Sequence, residues 1–304
     1  MLTPARKDII PIFGAHESIA GGVDLALERG QRATCDVIQI FNKSNSQWKA
    51  RPLDVAQVTR YFEAIEATGI QVVCSHASYL INLASPDRSL NGKSMRAFRK
   101  EVERCNVLGI PNLVFHPGSH VRSGVEAGMR RIARNMNRVL DDIVDNSVTL
   151  CLEATAGTGD NLGSTFEELA QIMDMIDDAD HVGVCLDTCH IFAAGYGLRS
   201  KADYEKTMKS FGDIVGHTRL KIIHVNDSKT EQGSRRDRHE HVGQGHIGLS
   251  GFRHLVNDRR LRTVPMILET PKKEDLADDV ANLSLLRSLL TKPSARNKTK
   301  GKSR

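Results

Sequence analysis

Short apolar runs recur along the chain, and each stops at a polar or small residue: IPIFGAH, DVIQIFN, IQVVCSH, NLVFH, VTLCLE, VGVCLD, LKIIH and VPMILE. Continuous runs rich in Val, Ile and Leu, without the alternation of a half-exposed strand, suit strands buried on both faces. Between them lie stretches with apolar residues at roughly helical spacing and a closing glycine, such as LDVAQVTRYFEAIEATG at 53–69. Strand and helix therefore alternate without a break in composition. That pattern predicts a single α/β domain closed as a (β/α)8 TIM barrel rather than an open doubly wound sheet. No glycine-rich phosphate loop follows the first run, which speaks against dinucleotide binding.

The residues that close the runs are His16, Asn42, His76, His116, Glu153, Asp187, His224 and Glu269. Barrel strands point their carboxyl ends at one face, so these side chains are expected to converge at one mouth. A lone His or Glu at a strand end is more often a cap or turn residue than a ligand. Imidazoles and carboxylates gathered together are different, because the carboxylates need a cation and divalent metals favour this mixture. In VGVCLDTCHIFAAGY, residues 182–196, Asp187 should point into the mouth, while His190 lies in the following loop and serves a neighbouring site. Cys189 is expected to bind nothing, which leaves mixed nitrogen and oxygen ligands suited to zinc or manganese in a catalytic site. A second source of ligands is DRHEHVGQGHIG, residues 237–248, in a polar loop after the seventh run. If that segment is extended, Asp237 and His239 reach one ion together and His190 completes the set.

A chain of 304 residues, 40% of them hydrophobic, can bury a large core. It has no run of apolar residues long enough for a membrane span, and its start, MLTPARKDIIPIFGAH, lacks a secretory segment. The expectation is a soluble intracellular monomer, cytoplasmic if bacterial and nuclear if eukaryotic. The six cysteines form no C-x-x-C pair and read as buried reduced thiols, with Cys189 the doubtful one because it lies beyond its apolar run. Of the net charge of +5, six positive charges fall in the last fourteen residues, TKPSARNKTKGKSR, leaving the body slightly negative. The chain therefore divides into a barrel domain over 1–290 and a basic, disordered tail over 291–304. The tail suits an arm for phosphates, an import signal, or no partner at all.

The blocks HASYLINLA, NLVFHPGSH, CLEATAGTGDNLG, GVCLDTCHIFAAGY, IIHVNDSK, DRHEHVGQGHIG and ILETP resemble, in order, the signature blocks of the endonuclease IV family of apurinic/apyrimidinic endonucleases. The likeness runs from about Gly14 to Pro271. It implies a trinuclear zinc site, with manganese able to take one position. His76, His116 and Glu153 would hold one ion. Glu153, the residue expected to be catalytic, would bridge to a second ion completed by Asp187, His224 and Glu269. His190, Asp237 and His239 would hold the third. Metals of this kind lower the pKa of water toward neutrality and neutralise charge on a scissile phosphate. The implied partner is duplex DNA bearing abasic or 3′-blocked lesions, cut 5′ of the abasic site to leave a 3′-hydroxyl and a 5′-deoxyribose phosphate. Tyr79 and Leu80 match a family loop that enters the helix at the lesion.

Two positions depart from the family pattern. Ser46, in FNKSNSQW, stands where well-known members carry an arginine that inserts into the DNA stack, so weaker lesion discrimination is expected. His241 competes with His239 for the third ion, and His239 is preferred for its position after Asp237. The other histidines considered, His181, His217 and His254, read as structural or solvated. The nearest rival function is a sugar isomerase or epimerase of the xylose isomerase type, for which Glu153, Asp187, His224 and Glu269 alone would suffice. A silent DNA-binding barrel is a second rival, but every ligand position is filled.

Overall fold

The computed structural model describes residues 10–143 and 147–291. The tail expected over 291–304 lies, beyond Thr291, outside the described residues. In chain order the strands are β1 (Phe13–Glu17), β2 (Val37–Phe41), β3 (Gln71–His76), β4 (Asn112–Phe115), β5 (Thr149–Glu153), β6 (Val182–Asp187), β7 (Leu220–His224), the short β8 (Asp227–Ser228) and β9 (His239–Glu240), and β10 (Met266–Leu268). All but β8 and β9 close into one barrel in the order β1-β10-β7-β6-β5-β4-β3-β2, every neighbour parallel. β8 and β9 pair antiparallel in the loop after β7. The protein is a single TIM barrel, and each apolar run in the sequence is one of its staves.

Between the staves run α1 (Asp24–Arg32), α2 (Val55–Thr68), α3 (Arg88–Leu108), α4 (Val125–Asp142), α5 (Phe166–Asp174), α6 (Thr188–Ala194), α7 (Lys201–Ile214), α8 (Gly248–Val256) and α9 (Ala277–Ser288). The stretch expected to be helical at 53–69 is α2, and its ends follow from its sequence. Asp54 and Gln57 form a reciprocal capping box, and Gly69 closes the helix at φ 72°.

Strand parity places the site. Inside the barrel, Val37, Cys74, Val114, Cys151, Cys185, Ile222 and Ile267 form a small apolar plug separate from the larger core between sheet and helices. Two positions on from each plug residue, the side chain again points inward and lies nearer the mouth. Those positions hold Gln39, His76, His116, Glu153, Asp187, His224 and Glu269. On β1, Gly14 precedes His16 in the same way, and it must lack a side chain, since a Cβ there would sit 2.0 Å from the carbonyl oxygen of Val37. Three of the cysteines therefore line the plug, and all six are free and buried.

Asn42 breaks the expectation. It closes its run but points the other way, donating to the carbonyl of Glu101 at 3.0 Å and to Cys105 Sγ at 3.2 Å against α3. On β2 the inward residue near the mouth is Gln39, where the register shifts against β3.

Candidate metal centre

Glu153, at the end of β5, is completely buried, and four imidazoles surround its carboxylate. His76 Nε2 and His116 Nε2 lie 3.0 and 3.1 Å from Oε2, while His224 Nδ1 and His190 Nδ1 lie 3.0 and 3.3 Å from Oε1. Burial alone would raise the pKa of this carboxyl, but the surrounding imidazoles, His116 and His224 foremost, hold it well below the ordinary range. A carboxylate buried this deeply stays ionised only among cations, protonated imidazoles or metals.

The neighbouring ligand candidates follow from local structure. Asp187 ends β6 and also caps α6, its Oδ1 accepting the amide of His190 at 2.9 Å. His190 therefore sits in the first turn of a helix, not in a loop as the sequence suggested. From there its Nε2 faces Asp237 Oδ2 at 3.2 Å and His239 Nε2 at 3.4 Å. His239 Nε2 lies 3.4 Å from Asp187 Oδ2 and 3.3 Å from Asp237 Oδ1. On the far side, His224 Nδ1 lies 3.2 Å from Glu269 Oε2 and 3.9 Å from Asp187 Oδ2. Donor atoms within 4.8 Å of one another form the sets His76–His116–Glu153, Glu153–Asp187–His224–Glu269 and Asp187–His190–His239. Two further sets include a thiol, Glu153–Cys185–His224 and Cys189–Asp237–His239.

Several imidazoles have one nitrogen committed to a carbonyl, which frees the other to face the cluster. His76 Nδ1 lies 2.7 Å from the Ala77 carbonyl, and His239 Nδ1 lies 3.1 Å from that of Glu269. His190 Nδ1 lies 3.0 Å from the Ala154 carbonyl, and His224 Nε2 lies 2.9 Å from Gln39 Oε1. Such contacts fix the tautomer and orient the ring of a metal ligand. Gln39 also donates to Glu269 Oε1 at 2.5 Å, and Asn226 donates to Asp187 Oδ2 at 2.7 Å. The sequence reading missed both amides. A glutamine inside an otherwise apolar strand was the available signal for Gln39.

The electrostatics describe a site short of positive charge. Burial would lower the pKa of His190 and His224, yet Asp187 beside the first and Glu269 beside the second win. His190 is pushed well above its ordinary value and His224 to about 9. Burial would raise Asp237, but the His190 ring brings it down to about 2. Burial pushes the Cys189 thiol up to about 12, and its Sγ lies 3.5 Å from the Arg238 carbonyl. The sequence reading gave Cys189 no ligand role. The structure places it within reach of Asp237 and His239 but holds it as a neutral thiol.

The loop carrying Asp237 and His239 is held by Asp227, whose buried carboxylate accepts the amides of Gly243, Gly245, Ile247 and Gly248 at 2.9–3.2 Å. His241 turns aside to Asn282, 3.0 Å away, and joins none of the donor sets. Tyr79 is 57% exposed at the mouth, its ring 5.1 and 5.4 Å from those of His76 and His116. Leu80 beside it is half-buried, and Ser46 is exposed on the loop after β2. His181 and His217 fall in short 3-10 turns and His254 in α8, away from the cluster.

Fold and site together define a barrel enzyme with candidate metal clusters at the carboxyl ends of its strands. A sequence profile described as xylose isomerase-like TIM barrel matches residues 24–289. A curated relative from Chloroflexus aurantiacus, named "Probable endonuclease 4", is 48% identical over 281 residues, covering 92% of this chain and 99% of that protein. The crystal structure of endonuclease IV from Thermus thermophilus matches with a TM-score of 0.80 at 36% identity, over 92% of this chain and 98% of that one. The chain belongs to the endonuclease IV family, and it is a hydrolase of the endonuclease class. D-allulose 3-epimerase from Methylomonas sp. matches at 18% identity with a TM-score of 0.66, over 92% of this chain and 98% of that one, and shares the fold alone. No helix among the described residues is long and apolar enough to cross a membrane.

Proposed function

We propose that this protein is a DNA-repair endonuclease that hydrolyses the phosphodiester bond 5′ of an abasic site in duplex DNA, using three zinc ions at the barrel mouth. The observation that carries this reading is the second cluster. A sugar isomerase needs only Glu153, Asp187, His224 and Glu269, and His190, Asp237 and His239 beside them supply ligands for an ion such an enzyme does not require.

The donor set fits zinc. Nitrogen and carboxylate oxygen predominate, the rings are oriented by carbonyl acceptors, and the nearest thiols are held neutral. His76, His116 and Glu153 would hold one ion, Glu153, Asp187, His224 and Glu269 a second, and His190, Asp237 and His239 a third. When bound, such ions supply Lewis acidity that lowers the pKa of water and offsets charge on a phosphodiester and its leaving oxygen. The chain's own part is to arrange and insulate the centre. Glu153 presents its two oxygens to different ring pairs, so one residue ties adjacent clusters together. Gln39 and Asn226 keep Glu269 and Asp187 turned inward. The apolar plug closes the floor against water from below. The exposed Tyr79 and the neighbouring Leu80 stand where a duplex would meet the mouth, and a gap left by a missing base lowers the cost of inserting them.

The test is cleavage of an end-labelled duplex carrying one tetrahydrofuran abasic analogue, with undamaged duplex and chelator-treated protein as controls. The analogue cannot undergo β-elimination, so a single cut on its 5′ side that vanishes on chelation identifies hydrolysis. Intact duplex after incubation with folded, zinc-loaded protein would overturn the proposal and turn attention to sugar epimerisation.

A further inference from the structure

Beneath the rim of the barrel, one buried ion pair joins two mouth loops. Lys43, just past β2, and Glu101, in the middle of α3, are 5% and 1% exposed, and Nζ lies 3.1 Å from Oε1. Lys43 also donates to the carbonyls of Ser44 at 3.3 Å and Gln47 at 2.8 Å, which wraps residues 43–47 around its ammonium. Glu101 accepts the amide of Ser78 on both oxygens, at 3.3 and 3.2 Å. The Ser78 hydroxyl in turn donates to the Asn45 carbonyl at 2.5 Å, which closes the ring of contacts. All three protons of the ammonium have acceptors.

A buried pair of this kind is a weak stabiliser, since desolvation offsets most of the attraction, and apolar side chains would fill the same volume. Its directional bonds, however, reach the backbone of both loops. One loop carries the exposed Ser46, and the other carries Tyr79 directly after Ser78. Neither charge touches the metal clusters. We infer that Lys43 and Glu101 are positioning residues for the duplex, locking residues 43–47 and 77–80 together so that Ser46 and Tyr79 meet the DNA as one rigid edge. This rests on the nuclease reading above.

The test compares the zinc-loaded full chain with the variant Lys43→Met/Glu101→Gln, which removes both charges at similar volume and leaves no lone buried ion. Two substrates are used, the abasic duplex and bis(p-nitrophenyl) phosphate, a small diester that needs the metal centre but not the loops. The expected result is a KM for duplex raised roughly tenfold or more, the scale on which small misplacements act, with kcat/KM for the small diester unchanged. Equal losses on both substrates, or no loss on either, overturn the inference. Amide hydrogen exchange at residues 44–47 and 78–80 provides a readout independent of activity. It should quicken in the double variant, and unchanged exchange overturns the inference. Wild-type protein that cuts neither substrate would defeat the nuclease reading, while exchange would still decide the role of the pair.

Discussion

Asp187 accepts the backbone amide of His190 at 2.9 Å, so the residue that ends β6 also starts the helix that aims the next imidazole. One carboxylate therefore serves two purposes, capping with Oδ1 and facing His224 and His239 with Oδ2. The two are separable. In metal-free protein, Asp187→Ala should lose about 0.5–2 kcal/mol, the usual worth of an N-cap, whereas Asp187→Asn keeps a capping oxygen and should lose less. Both variants should retain less zinc than the wild type. Denaturant titration with metal analysis checks this, and equal destabilisation by Ala and Asn would remove the cap from the account.

Glu153 belongs to two of the candidate donor sets and is the proposed ligand shared between them. Glu153→Ala should fold, because the barrel is built on the plug and outer core, but it should cut abasic duplex at least about 100-fold more slowly, since even outer partners of a metal site matter on that scale. Circular dichroism and single-turnover cleavage are the measurements. A near-normal rate with the metals still in place would sink the bridging assignment.

Gln39 touches both His224 and Glu269. Gln39→Leu removes both contacts at similar volume, and metal affinity should fall by about 10–100-fold. Competition with a zinc-sensitive dye reads the change, and unaltered affinity would make Gln39 mere packing.

Glu17 supplies a pH dependence apart from the clusters. It is 1% exposed, neither oxygen accepts a hydrogen bond among the described residues, and Lys272 Nζ lies 3.8 Å from Oε1. Burial raises its carboxyl from 4.5 to about 7, against the pull of Lys272. The folded state thus holds a proton that the unfolded chain releases at lower pH. Stability from this group is fully present below 4.5 and is lost as pH rises through about 7. Glu17→Gln cannot ionise, so its stability relative to wild type should increase by about 1–3 kcal/mol between mildly acidic and mildly alkaline buffer. Urea titrations at both ends of that range measure the difference, and a pH-independent gap would contradict the assignment.

Most of the architecture was legible because buried parallel strands announce themselves as uninterrupted apolar runs, and the residue two positions past the plug is forced into the mouth. Asn42 reads as inward because it closes a run, but side-chain parity, not the end of hydrophobicity, decides the face, and Gln39 holds the inward place. His190 reads as a loop residue because TCHIFAA is too short to show helical periodicity, and the capping bond from Asp187 is what makes it helical. The pairing of Lys43 with Glu101 left no trace in the sequence, since it joins residues on separate elements with no spacing rule between them.

Elemental analysis of zinc per chain tests the proposed three-ion centre most directly. Wild-type protein should carry about three zinc ions, and Asp237→Ala/His239→Ala should carry about two, because only the outer cluster loses ligands. About one or two ions in the wild type, unchanged in the variant, would contradict the account and leave the barrel mouth of an isomerase.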